Sequence, residues 1–357
     1  ILQDLGQSVG VIGTLGHQLN GKKLPTQDGH TTPESPQVHQ MLRHFRDNGC
    51  QSCIMEVSSI GIPMQRVHSI EFDVLAFTNF TQDHLDFHGT MDEYFAAKKE
   101  FITDYPSEKS IIILNQNQEK IASIPIQKGR RESFGWHDDA TWKLCSQELH
   151  LEGIHFSFQL QSIEYSVSLP VVGAHNIENA LVAISSAHAL GFPLDRIIKT
   201  LESLPQAPGR LEKISSEEGW HAFVDYAHTP DALEKSLQTL RDLAPNKLVV
   251  VFGCGGDRDR QKRPMMGAIA DKLADSVFVT SDNPRSEDPQ EIIAEILKGC
   301  TRLVHSITGR RQAIQEAISH LETGDILLVA GKGHETYQII GNKTEHFDDR
   351  EVIREQL

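Results

Sequence analysis

Short apolar runs alternate with polar loops and helical patterns along most of this 357-residue chain. A clear example is residues 276–280, which lead into Asp282-Asn283-Pro284-Arg285. Proline fixes its own backbone φ and disfavours the helical conformation of the residue before it, so a turn is expected directly after this strand. Strands that alternate with helices predict a doubly wound, mostly parallel α/β sheet. Such sheets bind their ligands at the carboxyl ends of the strands.

Composition excludes several classes of protein. The net charge of −15 argues against a general nucleic-acid-binding role. No apolar run reaches the roughly 18 residues of a transmembrane helix, so membrane insertion is not expected. Five scattered cysteines predict a reducing, cytoplasmic location, and the C-x-x-C at 50–53 has no second pair at zinc spacing. Residues 1–6 resemble the end of a helix without a starting Met, so we expect the chain to be part of a longer protein.

One match to a phosphate-binding loop is rejected. Residues 16–22 fit G-x-x-x-x-G-K, but Lys23 stands where Ser or Thr would bind magnesium. A true phosphate loop also opens a helix, whose amides hold the phosphate. Leu24 and Pro25 follow here instead, which predicts an ordinary loop.

Polar side chains follow several apolar runs of the first half. Glu56 and His84 each come after a predicted strand, and Lys98 lies on a helix that Thr90 and Glu93 begin with a capping box. Carboxyl ends of parallel strands share one edge of a sheet, so we expect Glu56, His84 and the Lys98 helix at the same edge. A glutamate and a histidine, together with further oxygen ligands, suit magnesium or manganese bound beside a phosphate. A solvated polar loop is the alternative explanation for the segment that carries His84.

The middle of the chain marks a change of organisation. Residues 130–170 contain short alternating segments that predict antiparallel strands at the edge of the sheet. Pro205 and Pro208 follow two helical patterns and indicate a domain boundary. We therefore predict one domain over residues 1–205 and a second over residues 206–357.

Three predicted strands of the second half end in charged loops. These loops carry Arg258, then Asp282 with Arg285, then Lys332 with Glu335. Guanidinium groups bind carboxylates, and carboxylates bind ammonium groups, so this edge is complementary to a zwitterion. The pattern predicts an amino-acid-like ligand, with a surface network of ion pairs as the alternative.

The motifs together resemble those of the Mur ligase family and follow one another in the family's order. The matching segments are EVSS (56–59), TNFTQDHLDFHG (78–89), EYFAAK (93–98), GAHNIEN (173–179), GRLE (209–212), DYAHTPDALE (225–234), GCGGDRDRQKRP (253–264), DNPR (282–285) and GKGHE (331–335). The resemblance implies a central ATPase-type domain of the P-loop kind and a Rossmann-like C-terminal domain that binds the incoming amino acid.

The resemblance also implies an activity. It is the ATP-dependent addition of meso-2,6-diaminopimelate to UDP-N-acetylmuramoyl-L-alanyl-D-glutamate in peptidoglycan synthesis. ATP would phosphorylate the glutamate carboxylate, and the amine of diaminopimelate would displace phosphate. Mg²⁺ would neutralise the phosphate charge.

Site residues follow from the resemblance, position by position. The implied catalytic residues and metal ligands are Glu56, His84 and a carbamylated Lys98. The implied contacts to the UDP-muramyl substrate are Thr31, Thr32, Ser58 and Arg66. The implied nucleotide contacts are Asn176, Arg210, Asp225 and His228. The implied diaminopimelate contacts are Arg258, Asp282, Asn283, Pro284, Arg285, Gly331 and Glu335.

The sequence departs from the family at its start. Family members carry a glycine-rich phosphate loop and an N-terminal domain before the position of Ile1, so we expect this chain alone not to turn over ATP. A binding module without catalysis is therefore one alternative, and a folylpolyglutamate-synthase-like ligase is another. A dinucleotide-dependent oxidoreductase is disfavoured, because Arg258 occupies the last glycine position of the G-x-G-x-x-G pattern that begins at Gly253.

Overall fold

The computed structural model describes residues 1–25, 30–244 and 246–357, with Asp86 described for its backbone only. Contacts divide the chain into two units. The first unit consists of Ile1–Glu148, His155–Leu169 and His175–Leu204. The second unit consists of Leu149–Ile154, Pro170–Ala174 and Pro205–Leu357.

The strands of the first unit form two sheets in the described part of the chain. The smaller sheet has the order β3-β2-β1-β4 and the larger has the order β10-β9-β8-β7-β6-β5. The strands are β1 (Val9–Ile12), β2 (Gln18–Leu19), β3 (Lys22–Lys23), β4 (Ser52–Met55), β5 (Phe72–Phe77), β6 (Pro106–Asn115), β7 (Arg130–Gly135), β8 (Trp142–His150), β9 (Gly153–Leu160) and β10 (Ile163–Leu169). One continuous sheet was predicted, whereas β4 and β5 each form the edge of a separate sheet here.

Helices cover these sheets through apolar faces. Val38 and Phe45 of the first helix pack with Ile12 of β1, and Ile102 packs with Leu75 and Leu114 of the larger sheet. The helices of the first unit are α1 (Ser35–Asp47), α2 (Leu85–His88), α3 (Met91–Asp104), α4 (Glu119–Ala122), α5 (His175–Ala189) and α6 (Leu194–Leu201).

Two expectations for the first unit are corrected. Residues 2–6 form hydrogen-bonded turns rather than the end of a helix, with Leu5 N donating to Ile1 O and Gln7 N to Leu2 O. β7 pairs parallel with both β6 and β8, so the antiparallel arrangement expected from residue 130 onward is wrong for β7. β8, β9 and β10 do lie at the edge of the sheet.

The rejected phosphate-loop match is a β-hairpin. β2 and β3 pair antiparallel, and Asn20 and Gly21 between them have φ values of 50° and 78°. Two successive left-handed residues are typical of the type I′ turn, for which Asn-Gly is strongly preferred. The rejection is confirmed, because no helix begins at this described segment.

The second unit contains one six-stranded sheet in its described part, with the order β11-β12-β16-β13-β14-β15. β11 pairs antiparallel with β12, and the remaining pairs are parallel. A separate hairpin joins β17 and β18. The strands are β11 (Glu212–Ser215), β12 (His221–Asp225), β13 (Leu248–Phe252), β14 (Ser276–Val279), β15 (His305–Ser306), β16 (Ile326–Ala330), β17 (Tyr337–Ile340) and β18 (Lys343–His346).

Helices lie on both faces of this sheet, which is the predicted doubly wound arrangement. One apolar core joins α7, α8 and α9 to one face, and another joins α10 and α11 to the opposite face. The helices are α7 (Pro230–Leu243), α8 (Lys262–Leu273), α9 (Pro289–Leu297), α10 (Arg310–Ser319) and α11 (Asp349–Arg354). β13 and β16 are buried at every position, as expected for strands covered on both faces. Among the described residues, no helix is both long and apolar enough to cross a membrane.

Candidate functional site

Glu56 lies immediately after β4 and is held by a threonine from the loop after β1. Its Oε2 accepts hydrogen bonds from Thr14 Oγ1 at 2.6 Å and from the Thr14 backbone N at 3.3 Å. Thr14 Oγ1 lies 2.9 Å from Thr31 Oγ1. A Cβ at Gly13 would lie 2.7 Å from Glu56 Oε1, so the glycine leaves room for this carboxylate. Glu56, Thr14 and Thr31 therefore form one polar cluster.

The other predicted contacts to the UDP-muramyl substrate surround the same strand end. Thr32 is fully buried, and its hydroxyl donates to Glu56 O and accepts from Ser58 N. The side chain of Thr32 thus fixes the loop after β4. Its hydroxyl was expected to contact a ligand, but it is buried. Arg66 donates to Thr32 O at 3.0 Å and pairs with Glu34, and its buried Nε has no partner in the described structure.

Lys98 lies on α3 and contributes to a cavity that Glu56 also lines. The cavity has a volume of about 720 Å³ and extends between β4 and β5. Lys98 Nζ lies 5.5 Å from the ring centroid of Phe77 and 5.2 Å from that of Tyr94. Burial lowers the pKa of Lys98, and the Asp83 carboxylate opposes this shift. Burial, together with Asp83, also raises the pKa of Tyr94 to about 12.

His84 begins the short helix α2 in a left-handed conformation, with φ of 53°. Its Nε2 lies 3.6 Å from Asp83 Oδ2, and its ring packs against Tyr94. The described residues lining the cavity do not include His84. The described part of the chain also contains no cluster of three or more His, Cys, Asp or Glu that could hold a metal ion. Magnesium commonly binds through one or two carboxylates plus water and phosphate, so Glu56 and a carbamate at Lys98 have suitable chemistry.

The predicted nucleotide contacts divide between the two units. Asn176 belongs to α5 of the first unit, while Arg210, Asp225 and His228 belong to the second. The Asp225 carboxylate is buried, and it accepts from Leu211 N, Ala227 N and the Ser236 hydroxyl. Asp225 therefore fixes the Arg210 loop to the end of β12. The carboxylate oxygens of Asp225 have little remaining capacity to bind a nucleotide.

Arg210 and His228 contact one tyrosine. The Arg210 guanidinium lies 5.4 Å from the ring centroid of Tyr226, and the His228 ring lies 4.7 Å from it. Burial raises the pKa of Tyr226, and the carboxylates of Glu335 and Asp282 add to the shift. Tyr226 thus connects the predicted nucleotide residues to the loops after β14 and β16.

The loops after β14 and β16 meet, and we call Asp282, Asn283, Arg285, Gly331, Lys332 and Glu335 the strand-end cluster. Asn283 is buried and donates from Nδ2 to Glu335 Oε2 at 2.9 Å. Lys332 has a fully buried side chain, and its Nζ lies 3.1 Å from Glu335 Oε2 and 3.3 Å from Asn283 Oδ1. The sequence predicted which residue types lie at these strand ends, but it did not predict that Lys332 is buried.

Two carboxylate oxygens of the strand-end cluster are left open. Asp282 Oδ1 accepts from Asn283 N, while its Oδ2 accepts from no described residue. Glu335 accepts both of its hydrogen bonds through Oε2, so Oε1 is likewise unpaired within the described chain. A Cβ at Gly331 would lie 2.7 Å from Asp282 Oδ2, which explains why this position lacks a side chain. These two oxygens can accept from an ammonium group.

Arg285 is the cation of the strand-end cluster that keeps unpaired donors in the described chain. Its Nη1 donates to Gly256 O at 2.8 Å and to Asn283 O at 3.5 Å. Within the described residues its Nε and Nη2 have no acceptor, so both can bind a carboxylate. Its backbone adopts φ of 53°, and its amide donates to Ile339 O. The hairpin β17–β18 therefore holds Arg285 in this strained conformation.

The glycine loop after β13 lies against the same turn. A Cβ at Gly256 would lie 1.9 Å from Pro284 O, so only glycine allows this approach. A Cβ at Gly255 would lie 2.9 Å from Arg285 Nη1 and 3.8 Å from Arg258 Cγ. Arg258 is exposed and donates to Asp257 O. Both predicted arginines therefore lie beside Gly255.

Models of two protein domains match this chain. The model described as the Mur ligase middle domain matches residues 1–187, which is more than half of the chain. The chain belongs to the Mur ligase family. A second model, described as the Mur ligase glutamate ligase domain, matches residues 209–333, which include the strand-end cluster except Glu335.

Mur ligases named for one activity resemble the chain over its whole length. A UDP-N-acetylmuramoyl-L-alanyl-D-glutamate–2,6-diaminopimelate ligase of Clostridium botulinum is 40% identical across 100% of this chain and 74% of its own length. The enzyme of the same name from Clostridium tetani is 41% identical across 99% of this chain.

Solved structures confirm the fold. A structure of UDP-N-acetylmuramoyl-L-alanyl-D-glutamate–2,6-diaminopimelate ligase is 33% identical, with a TM-score of 0.72, and covers 99% of this chain and 73% of that chain. A folylpolyglutamate synthase from Mycobacterium tuberculosis has a TM-score of 0.72 over 92% of this chain and 83% of its own, but is 20% identical, so it supports the fold alone.

Several residues of the candidate site were not found from the sequence. Thr14 contacts Glu56, and Tyr94 and Phe77 surround Lys98. Each is distant in sequence from its partner or of a type common in cores. The segment G-T-L-G at 13–16 was the available signal for Thr14, since it follows a strand that borders β4.

Proposed function

We propose that this protein is an ATP-dependent ligase that adds meso-2,6-diaminopimelate to UDP-N-acetylmuramoyl-L-alanyl-D-glutamate in peptidoglycan synthesis. The strand-end cluster carries the proposal. It combines an arginine fork at Arg285 with the unpaired carboxylate oxygens of Asp282 and Glu335. The relatives that are about 40% identical across the chain have this activity in their names.

Diaminopimelate has an ammonium and a carboxylate at each end. The carboxylates of Asp282 and Glu335 would hold one ammonium in its charged form, and Arg285 would hold the carboxylate beside it. The amine at the other end is then the nucleophile. Lysine lacks that second carboxylate, so it would leave the Arg285 fork unpaired. A site that leaves a buried charge unpaired rejects such an analogue.

The reaction has two chemical steps. The γ-phosphoryl group of ATP passes to the glutamate carboxylate of the muramyl substrate, which gives ADP and an acyl phosphate. The neutral amine of diaminopimelate then attacks the acyl carbon, loses a proton, and expels phosphate with the electron pair of the broken bond. Holding the amino acid by its distant end orients the amine for this attack.

The first unit would supply the groups around the phosphates. Neutral Lys98 Nζ can add carbon dioxide and lose a proton, which gives an anionic carbamate. Burial favours this reaction because it lowers the pKa of Lys98. Glu56, His84 and that carbamate would hold Mg²⁺, which when bound neutralises charge on the transferred phosphoryl group. Thr31, Ser58 and Arg66 would contact the UDP-muramyl substrate near Glu56.

The remaining assignments complete the proposal. Asn176, Arg210 and His228 would contact ATP, with Asp225 fixing the Arg210 loop. Arg258 would assist Arg285 at the second carboxylate. The domain over residues 1–205 would be the ATPase-type domain, and that over 206–357 would bind diaminopimelate. The five free cysteines and the nucleotide substrate suit the cytoplasm.

Arg285→Lys tests the proposal most directly. It keeps the charge but removes the planar fork, so we expect binding of meso-diaminopimelate to weaken about 10- to 100-fold, the range for hydrogen bonds to charged groups. Binding of ATP should not change. Titration calorimetry with the two ligands measures both effects. In a form of the protein that turns over ATP, diaminopimelate-dependent release of phosphate measures the reaction.

A matched control is Arg311→Lys, which changes an exposed arginine on α10. It should leave both affinities unchanged. Equal affinities of the wild-type protein for diaminopimelate and lysine would contradict the proposed specificity. Binding of folate and glutamate instead would favour the folylpolyglutamate-synthase-like alternative.

A further inference from the structure

A fully buried ion pair lies behind the strand-end cluster and is not part of it. Arg310 is the first residue of α10 and Asp349 is the first residue of α11, and neither side chain is exposed. Arg310 Nε donates to Asp349 Oδ1 at 2.8 Å, and Nη2 donates to Oδ2 at 2.7 Å. The pair is therefore bidentate, which fixes the plane of the guanidinium group.

The same guanidinium contacts both strand ends that carry the strand-end cluster. Its Nη2 donates to Ala330 O at 3.0 Å, and its Nη1 lies 3.4 Å from Ser281 O. Ser281 directly precedes Asp282, and Ala330 directly precedes Gly331. The contacts thus reach the last carbonyl groups before the two ligand-binding loops.

The two strands that carry these ends are not direct neighbours, and each pairs in parallel with β13. β13 lies between β14 and β16 in the sheet, so β14 and β16 do not pair with each other. Their spacing nevertheless matters, because a Cβ at Gly331 would lie 2.7 Å from Asp282 Oδ2. Arg310 connects the two ends across β13, and Asp349 holds Arg310 in place.

We propose that Arg310 and Asp349 are positioning residues that set the distance between Asp282 and Glu335, and so the fit of the amino-acid substrate. A positioning role explains why a desolvated charge is kept at this depth. Buried ion pairs are weak evidence for stability, since well-packed apolar residues of similar volume often replace them without loss. The two carbonyl contacts, by contrast, have no apolar substitute.

The identity of the ligand in this inference rests on the proposed function. The geometry of the two strand ends does not depend on it. The charge of Arg310 also acts on the site. The pKa of its guanidinium is raised: burial opposes the charge, while Asp349, Asp282 and Glu335 favour it. Arg310 is therefore attracted electrostatically to the carboxylates of the strand-end cluster, and Asp349 balances part of its charge.

The test compares three forms of the whole chain. The double variant Arg310→Met/Asp349→Leu replaces the pair with apolar side chains and keeps the packing. Asp349→Asn keeps the shape but removes the bidentate partner. The control is Arg311→Met/Glu355→Gln, which removes an exposed ion pair between α10 and the residue that follows α11.

Two measurements are made on each form. Hydrogen exchange reports the opening of residues 282–285 and 331–335 relative to residues 248–252 of β13. We expect about tenfold faster exchange in both loops of the double variant and of Asp349→Asn, with β13 unchanged. Calorimetry with meso-diaminopimelate should show about 10- to 100-fold weaker binding, since misplacement by about 1 Å can have effects of that size. The control should match the wild-type protein in both.

The outcomes separate positioning from a merely structural role. A lower melting temperature with unchanged loop exchange and unchanged diaminopimelate affinity would overturn the inference. If the wild-type protein itself does not bind diaminopimelate, the proposed function is contradicted. Loop exchange in the double variant then decides the positioning role without any ligand.

Discussion

Buried and half-buried polar side chains of this protein divide into those that fix loops and those left open to a ligand. Asp225 and Thr32 were both predicted to contact substrates, but their oxygens bind backbone and hydroxyl groups of their own loops. Asp282, Arg285 and Glu335 keep donors or acceptors unpaired within the described chain. The distinction is one of hydrogen-bond partners, which residue type does not reveal.

Lys98 provides a prediction at the scale of one residue. Burial lowers the pKa of Lys98 below 10.5, so the charged ammonium group destabilises the folded state at neutral pH. The unfolded chain binds more protons, and the cost is therefore removed as the pH rises through the lowered pKa towards 10.5. We expect Lys98→Met to stabilise the first unit at pH 7, with a gain that shrinks towards pH 10.5.

Thermal unfolding in bicarbonate-free buffer measures this effect. Lys99→Met, on the same helix, is the control and should give no such pH-dependent gain. A gain for Lys98→Met that is constant with pH would show that packing, rather than the desolvated charge, is responsible.

At the scale of the element, a local signal of the sequence placed the start of α3. The capping box of α3 is present as predicted, with Thr90 accepting from Glu93 N and Glu93 accepting from Thr90 N. Thr229 caps α7 in the same way by accepting from Ala232 N. Caps are formed by residues close in sequence, so they can be read without the tertiary structure.

Thr90→Ala tests the cap that orients the Lys98 helix. Loss of an N-cap hydroxyl costs about 1 kcal/mol, and we expect the first unit to be destabilised by about that amount. Thr90→Ser should retain most of the stability, and Glu100→Gln in the exposed middle of α3 should have no effect. Chemical denaturation followed by circular dichroism measures the difference. Equal stabilities of the Ala and Ser variants would show that the N-cap hydroxyl does not cause the change in stability.

At the scale of the whole molecule, the two units are expected to differ in their response to acid. In the second unit, Arg263 lowers the pKa of Glu287 to about 2 through two hydrogen bonds. In the same unit, burial opposes ionisation of Asp271, but hydrogen bonds from Thr301 and Arg302 lower its pKa to about 2. These carboxylates stabilise the folded state above their unfolded pKa values, and that contribution is lost as the pH falls towards 2.

We therefore expect two unfolding transitions, and the transition of residues 205–357 should move to lower temperature between pH 4.5 and 2. Glu287 alone accounts for a loss on the order of 3 kcal/mol at about 1.36 kcal/mol per pKa unit. Glu287→Gln should remove the part of this pH dependence that Glu287 contributes, whereas Glu345→Gln, on the exposed hairpin strand β18, should not change it. Calorimetric scans across this pH range measure it, and an unshifted wild-type transition would exclude the ion-pair explanation.

The sequence by itself determined the alternating α/β class, the start of α3, the rejection of the phosphate-loop match and the residues at three strand ends of the second unit. These features depend on apolar periodicity, caps and turns, which act over a few residues. The tertiary structure decided what depends on distant partners. It divided the first unit into two sheets, paired β7 parallel with its neighbours, and buried Lys332 between Asn283 and Glu335. It also brought Arg310 to the carbonyl groups of Ser281 and Ala330, because strand order and side-chain packing are set by contacts between residues far apart in the chain.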